Sequence, residues 1–290
     1  MNETISAPIA RAGVVRRFTR HPLAVFGFAT VCILCLAALF APFLAPRDPL
    51  LLDTSQRFIA PFAHDGFPLG TDDLGRDTLS RLLYGGRVSL TVGLVAMFTT
   101  VLTGAVIGLL AGYLGGLVDT LLMRFVDTML CFPQIFLLLV IAAFVPPSLI
   151  SIALIIGLTS WMEVSRIVRA EILHLKEQDF VLAARALGAS RARIMFRELL
   201  PNIAAPLLVA ATLRVASAVL AESYISYLGY GIQPPLASWG NMLTNAQGYF
   251  DTVPWLAILP GAMITLTVLG FNFLGDGLRD ALDPRLRMDN

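Results

Sequence analysis

The sequence predicts an all-α membrane protein with six transmembrane helices. Of its 290 residues, 57% are hydrophobic and only 14% are charged, whereas about a quarter of the residues of a typical soluble domain are charged. The apolar residues come in unbroken blocks rather than alternating with polar ones, which excludes a transmembrane β-barrel. Several blocks also reach the roughly 20 residues that a helix needs to cross the hydrocarbon layer.

The spans follow one another along the chain at 23–44, 88–110, twice within 128–162, and then at 202–221 and 253–274. The uncharged stretch 128–162 is too long for one crossing. Because proline interrupts helices, Pro146-Pro147 is predicted to divide it into two helices joined by a tight turn.

Arginine and lysine predict the orientation, because they collect in the amino-terminal tail (1–21), between spans four and five, and in the carboxyl tail (277–290). Since basic residues favour the cytoplasmic side, both termini are predicted to be cytoplasmic. The first helix then occupies 22–45. Residues 46–87 form an external loop with an interfacial helix, although this loop holds five arginines. Residues 88–276 form a core domain with the other five helices.

A helical hairpin is predicted between spans four and five, in "DFVLAARALGASRARIMFRELLPN" (179–202). Its first helix runs from Gln178 to Leu187, and Gly188 supplies the left-handed residue that ends it. Ser190 caps a second helix that runs to Leu200. We refer to residues 178–200, within a cytoplasmic segment of about 171–200, as the hairpin.

Small and basic side chains distinguish the hairpin. Alanines at 183, 184 and 186 leave its first helix thin enough to enter a groove of a partner, and the arginines that surround it are Arg185, Arg191, Arg193 and Arg197. The residues alone leave other interpretations open. The hairpin could serve simply to enforce orientation, it could form an amphipathic surface helix, or it could read DNA.

Charged residues inside spans indicate a polar pathway. Arg214 and Glu222 are eight residues apart on nearly the same helix face, and they are the candidate pathway residues. The alternative is a structural ion pair with a neighbouring helix. Glu163 with Arg166, and Arg124 with Asp127, are predicted to pair within their helices at spacing i, i+3.

Four glycines recur every four residues, at Gly104, Gly108, Gly112 and Gly116. This spacing aligns them on one face, where a neighbouring helix can approach closely, and predicts a packing seam within the subunit or with another subunit. The alternative is that glycine is merely common in membrane helices.

Motifs for catalysis and for nucleotide or metal binding are missing from the sequence. A phosphate-binding loop needs G-x-x-x-x-G-K-[ST], but the chain's only lysine, Lys176, has no glycine near it. Zinc-protease and hydrolase motifs are missing too, and the three histidines have no ligand spacing. We therefore predict no catalytic, cofactor-binding or metal-binding residue, and expect the energy for any uphill transport to come from elsewhere.

The hairpin resembles the cytoplasmic coupling loop of binding-protein-dependent ABC importer permeases. That loop has the pattern E-A-A, three residues, glycine, nine residues, isoleucine, one residue, leucine-proline. The matching residues are Ala183, Ala184, Gly188, Leu200 and Pro201. Two positions depart from the pattern: Leu182 replaces the glutamate and Glu198 replaces the isoleucine. The resemblance implies that the matching residues, together with Arg185, contact an ATPase subunit.

Four further segments are similar to the C-type subunit of dipeptide, oligopeptide and nickel permeases. They are "RRFTRHPLAVFGF", "FPLGTDDLGRDTLSRLLYGGRVSL", "AESYISYLGYGIQPPLASWGNML" and "LGDGLRDALDPR". The resemblance implies the ABC importer permease fold and a non-enzymatic subunit. Its solutes would be di- or oligopeptides, or nickel- or glutathione-type solutes, carried across a bacterial inner membrane.

The partners implied by the same resemblance are a homologous B-type permease subunit, two cytoplasmic ATP-binding subunits that carry ATP and Mg, and an external solute-binding protein. The alternative function is an ion-coupled carrier or channel that works without ATPase partners. Such carriers often contain inverted repeats, and the sequence shows no convincing self-similarity.

Overall fold

The computed structural model describes residues 11–282, and within this range the protein is helical, with a single isolated β-bridge between Thr71 and Asp77. The helices are α1 (Arg11–Arg20), α2 (Pro22–Leu39), α3 (Ala41–Leu44), α4 (Thr78–Leu114), α5 (Gly116–Leu130), α6 (Gln134–Phe144), α7 (Leu149–Leu158), α8 (Trp161–Leu175), α9 (Asp179–Ala186), α10 (Arg191–Arg193), α11 (Leu200–Asn202), α12 (Ala204–Tyr227), α13 (Trp239–Ala246) and α14 (Trp255–Leu282). Short 3-10 turns occupy Thr54–Gln56 and Gln247–Tyr249, and a π-helical turn occupies Ile194–Leu199.

Within residues 11–282, four continuous helices are long and apolar enough to cross a membrane, namely α2, α4, α12 and α14. Two further candidate spans are bent: α5 and α6 meet at 85°, and α7 and α8 meet at 45°. The predicted six spans are confirmed when each bent pair is counted as one span.

The turn between the two bent spans lies where the prolines predicted it. α6 ends at Phe144 and α7 begins at Leu149. Ser148 caps α7, because its side chain accepts a hydrogen bond from the Ser151 backbone N–H at 3.1 Å, and the Ser151 hydroxyl accepts one from the Ser148 N–H at 2.9 Å. This reciprocal capping satisfies backbone donors that the helix itself cannot.

Each bent span also contains a break that the hydropathy pattern does not reveal. Pro133 stands directly before α6, and because it has no N–H it cannot continue α5. At the other break, the Ser160 hydroxyl donates to the Ile156 carbonyl at 2.6 Å and the Thr159 hydroxyl donates to the Ile155 carbonyl at 2.8 Å. Hydroxyls bonded back to the preceding turn bend helices in this way.

Helix α4 begins at Thr78, ten residues before the predicted start of the second span at residue 88. Asp77 caps it by accepting a hydrogen bond from the Ser80 N–H at 2.7 Å. Arg81, whose charge suggested a later start, is buried with its Nε 3.4 Å from Asp72 Oδ2. Residues 78–87 therefore form the first turns of α4 rather than a separate interfacial helix, and the segment before them holds the 3-10 turn Thr54–Gln56.

Helix α4 is the centre of the protein, and it packs against α2, α7, α8 and α12. Near its start, buried Leu82 and Leu90 join an apolar cluster with α2, α12, α13 and α14. In its middle, Val92 and Ala96 join a second cluster with α6, α7 and α12. Near its end, Leu109 joins a third cluster with α8 and the hairpin. One helix thus connects the three largest apolar clusters of the core.

The predicted glycine seam is confirmed for three of its four residues, and it lies within the subunit, between α4 and α8. A Cβ added at Gly108 would lie 2.5 Å from the Ser165 carbonyl oxygen, and one at Gly104 would lie 2.7 Å from Val164 Cβ. Gly112 faces α8 equally closely. Only glycine allows the two helix backbones to approach to this distance.

Gly116 is not part of the seam, and the prediction for this residue is wrong. α4 ends at Leu114, and Gly115 and Gly116 turn the chain into α5 with φ of 65° and 55°. This left-handed turn ends the helical period, so Gly116 no longer shares a face with the other three glycines. A Cβ added at Gly116 would have no atom within 4 Å.

Candidate functional site

The hairpin has the predicted form. α9 ends at Ala186, and Gly188 adopts a φ of 78°. The Gly188 N–H donates to the Arg185 carbonyl at 2.9 Å, and the Ala189 N–H donates to the Ala184 carbonyl at 3.0 Å, so the helix end is satisfied by a left-handed cap. Ser190 caps the second arm by accepting from the Arg193 N–H at 3.3 Å.

The second arm is less regular than predicted. It begins as α10, widens into the π turn Ile194–Leu199 and ends as α11 at Asn202. Pro201 lies in α11. It has no N–H to donate to the carbonyl four residues earlier, and its ring clashes with that carbonyl in a regular α-helix. A π turn changes the hydrogen-bond register just before this proline, which is the reason for the departure from a simple α-helix.

The inner side of the hairpin is anchored in its own subunit. Val181, Ile194 and Leu199 are fully buried in the cluster that includes α8 residues Val168 and Ile172. These apolar side chains join both arms of the hairpin to α8, and dense packing of this kind transmits displacements.

Two polar contacts add to this anchor at the end of α4. The Lys176 ammonium donates to the Gly112 carbonyl at 3.3 Å, and the Arg185 guanidinium lies 5.5 Å from the centre of the Tyr113 ring, within the range of a cation–π contact. The hairpin is therefore attached to α4 as well as to α8.

The outer side of the hairpin exposes large apolar side chains: Phe180, Leu182, Leu187 and Phe196. Leu187, at the tip beside Gly188, is 89% exposed. The alanines at 183 and 186 are exposed beside them, as are the four hairpin arginines. Large exposed apolar side chains surrounded by charged ones are typical of a protein–protein interface.

Glu222, one of the two predicted pathway residues, is fully buried within its own subunit. Its carboxylate accepts hydrogen bonds from the Ser89 hydroxyl at 2.8 Å and from the Ser226 hydroxyl at 2.7 Å. The Ser89 hydroxyl in turn accepts a hydrogen bond from the backbone N–H of Trp239 at 3.2 Å. The carboxylate thus joins α4, α12 and the start of α13, and these contacts favour a structural role over a place on an open pathway.

Arg214, the other predicted pathway residue, lies near the middle of α12. Its Nη2 lies 2.5 Å from Oε2 of Glu163, and the two side chains are 20% and 60% exposed. The structure therefore does not place Arg214 and Glu222 on one common surface. The intrahelical pair predicted for Glu163 and Arg166 is also wrong, since Arg166 pairs with Asp127 on α5.

A second polar contact lies beside this ion pair, where the two bent spans break. Gln134, the first residue of α6, donates from Nε2 to the Ser160 hydroxyl at 2.7 Å. Ser160 directly precedes α8 and lies three residues before Glu163, so both contacts involve the amino-terminal end of this helix. We call Gln134, Ser160, Glu163 and Arg214 the polar belt. Sequence analysis missed Gln134 and Ser160, because uncharged polar residues give no distinct signal there.

Exposed charges in the middle of a span must avoid lipid. A charged side chain at the centre of a transmembrane helix costs about 2.5 to 3.5 kcal/mol on insertion scales, and such residues face a bundle interior or a water-filled cavity. The exposed side of the polar belt therefore faces protein or water in the assembled protein. Among residues 11–282, no three side chains of the types that ligate metals come together.

Comparison with known proteins agrees with these features. Residues 104–288, well over half of the chain, match the family described as binding-protein-dependent transport system inner membrane component. Residues 11–63 match the N-terminal TM domain of oligopeptide transport permease C.

Individual relatives are similar over nearly their whole length. The chain is 39% identical over 272 residues to the dipeptide transport system permease protein DppC of Alkalihalophilus pseudofirmus, covering 94% of this chain and 89% of that protein. It is 37% identical over 271 residues to the oligopeptide transport system permease protein OppC of Bacillus subtilis, covering 93% and 88%. With a bundle of membrane-spanning helices, an exposed hairpin and this degree of similarity, the chain belongs to the family of binding-protein-dependent transport system inner membrane components.

Proposed function

We propose that this chain is a transmembrane permease subunit of an ABC importer for di- or oligopeptides. Support for the solute class comes from the printed names of its relatives, a dipeptide and an oligopeptide permease protein. Family membership favours this function over an ion-coupled carrier. The proposed partners are a homologous B-type permease, two cytoplasmic ATPase subunits that carry ATP and Mg, and an external solute-binding protein.

The observation that carries the proposal is the two-sided construction of the hairpin. Its inner side is buried against α4 and α8, while its outer side exposes apolar residues that no part of the described chain covers. We propose that the outer side, including Ala183 and Arg185, docks on an ATPase subunit, whereas Ala184 is half-buried against the inner cluster. Closure of the ATPases on ATP would then move the hairpin, and the inner contacts would pass this movement to the spans.

Helix directions support a cytoplasmic position for both ends of the chain in a bacterial inner membrane. Ala38 of α2 lies beside Gly86 near the start of α4, so the start of α2 lies at the other end of the bundle, where α4 meets the hairpin. Ala24 of α2 lies against Gly277 of α14. Both Arg11 and Leu282 are thus at the hairpin end, and if the hairpin meets cytoplasmic ATPases, both termini are cytoplasmic.

The proposal is tested by Leu187→Glu, because Leu187 is exposed and its replacement leaves the subunit's own core intact. Burying a leucine contributes about 1.5 to 3 kcal/mol, which corresponds to roughly 10- to 150-fold in affinity. We expect the variant to insert normally but to co-purify at least about tenfold less ATPase subunit.

Leu52→Glu is the matched control. Leu52 is also exposed, but it precedes α4, whose 37 residues separate it from the hairpin by about 55 Å at 1.5 Å per residue. ATPase recovery should be unchanged in this control. Equal recovery with Leu187→Glu and with the unmodified chain would contradict the docking role of the hairpin.

A second variant separates docking from transmission. Gly188→Val places a β-branched residue at a left-handed φ, which costs more than 1 kcal/mol and distorts the tip. We expect an inserted subunit whose complex no longer raises its ATPase activity when the solute-loaded binding protein is added. Unchanged stimulation in the reconstituted complex would count against the hairpin as the route of coupling.

A further inference from the structure

The polar belt lies where two helix breaks meet. α6 begins with Gln134 after the break at 131–133, and α8 follows the break at Ser160. The Gln134–Ser160 hydrogen bond of 2.7 Å holds these two breaks together. Helix breaks leave backbone groups without helical partners, and inside membranes they are tolerated only where protein or water satisfies them.

Opposite faces of α8 have opposite character. Val164, Ser165 and Val168 are buried against α4 along the glycine seam. Glu163, on the other face, keeps 60% of its side chain exposed although it is paired with Arg214. Because one face is fixed against α4, the charged face of α8 points away from that helix.

We propose that the polar belt is a contact site for the charged ends of the peptide during its passage, with Glu163 receiving the α-ammonium group and Arg214 receiving the α-carboxylate. This inference rests on the proposed function, since it assumes that the solute is a peptide. The side-chain amide of Gln134 and the hydroxyl of Ser160 would hydrogen-bond the peptide group between those ends.

The assignment is physically consistent because the peptide can replace the ion-pair partner of each side chain. In the empty state, Glu163 and Arg214 neutralise each other at 2.5 Å. A zwitterionic peptide offers one cation and one anion, so it can replace both partners at once without leaving a charge unpaired away from water. A purely anionic or cationic solute would leave one of the two side chains without a counterion.

A charge swap separates a peptide site from a structural ion pair. The complex of this chain with its partner permease, ATPases and binding protein is placed in proteoliposomes, and uptake of labelled Ala-Ala is measured per ATP hydrolysed. Glu163→Gln and Arg214→Gln should each lower uptake per ATP at least about tenfold. Combining Glu163→Arg with Arg214→Glu restores an ion pair of reversed polarity, so it should restore thermal stability. It should not restore uptake, because a peptide bound in the opposite direction no longer matches Gln134 and Ser160, which stay in place.

Asp119→Asn is the matched control. Asp119 of α5 forms an inter-helix ion pair with Arg169 of α8 through two contacts of 2.5 and 2.6 Å. Arg169 lies six residues, or about 9 Å, from Glu163 along α8. Loss of this ion pair should lower stability but leave uptake per ATP unchanged. Recovery of uptake in the charge-swapped complex would overturn the site and show that the pair is only structural.

A cross-linking measurement on the unmodified complex tests the site even if the substituted complexes fail to assemble. A dipeptide of alanine and benzoylphenylalanine is delivered by the binding protein and photo-cross-linked during turnover, with cross-links expected within 134–166 or 210–218. Cross-links found only elsewhere in the chain would overturn the site. Failure of the unmodified complex to import Ala-Ala while it imports a non-peptide solute would instead refute the peptide assignment, and the site with it.

Discussion

The close contact between α4 and α8 predicts that adding one methyl group at Gly108 destabilises the protein. A Cβ at this position would lie 2.5 Å from the Ser165 carbonyl oxygen and 2.7 Å from Val168 Cβ. Ordinary contact begins near 3.4 Å, so α8 must move away by 3.4 − 2.5 = 0.9 Å. A carbonyl within a helix cannot rotate aside, and the whole helix has to shift.

The size of the effect follows from the cost of overpacking a dense core, which is about 1 to 3 kcal/mol. We therefore expect Gly108→Ala to reduce the stability of the subunit by this amount. The same shift loosens the connection between α8 and α4, so stimulation of the ATPases by loaded binding protein should fall as well. Stability is measured as the midpoint of heat-induced loss of the folded subunit in detergent, by size-exclusion chromatography of a fluorescent fusion.

Gly261→Ala is the matched control, because a Cβ at Gly261 in α14 would meet no atom within 4 Å. The gain in helix propensity should leave this variant as stable as the unmodified subunit, or more stable by up to about 1 kcal/mol. If Gly108→Ala melted at the same temperature as Gly261→Ala, the contact of α4 with α8 through glycine would be refuted.

Three further predictions concern single polar contacts. Ser190→Ala removes the cap of the second hairpin arm, which should cost about 1 kcal/mol of stability. The loss should appear as faster amide hydrogen exchange in residues 191–199, and unchanged exchange there would contradict the role of the cap. Glu222→Ala should lower the melting midpoint more than Glu222→Gln, because alanine leaves two buried hydroxyls without an acceptor, at a cost of about 1 to 3 kcal/mol, whereas glutamine keeps one oxygen. Trp239→Phe loses the hydrogen bond from the indole N–H to the Leu82 carbonyl, 3.0 Å long. Because Leu82 lies within α4 and its carbonyl keeps its helical partner, the variant should destabilise the subunit by only about 0.5 to 1.5 kcal/mol, and an unchanged midpoint would show that this bond contributes little.

The hairpin was predictable from sequence because each of its features is local. A glycine that reverses the chain and a serine that caps the next helix act within three or four residues of themselves, and both behave as predicted at Gly188 and Ser190. Only the π turn before Pro201 departs from a simple helix. Which side of the hairpin is buried could not be read from the same residues, since it depends on where α4 and α8 lie.

The charged residues within the spans were predicted less well. The spacing of Glu163 and Arg166 permits an intrahelical pair, yet Glu163 binds Arg214 and Arg166 binds Asp127. Glu222 lies two turns from Arg214 but is buried instead of sharing its surface. Spacing along one helix gives the relative direction of two side chains, but the identity of the facing helix selects their partners.

By itself the sequence determined the number of spans, the turn at Pro146-Pro147, the shape of the hairpin and three of the four glycines in the seam, because hydropathy, capping and helical period are properties of short stretches of chain. Only the tertiary structure decided the two breaks that bring Gln134 to Ser160, the burial of Glu222 and the pairing of Glu163 with Arg214. These features depend on the rotation and depth of helices far apart in sequence, which the packing of the whole bundle sets.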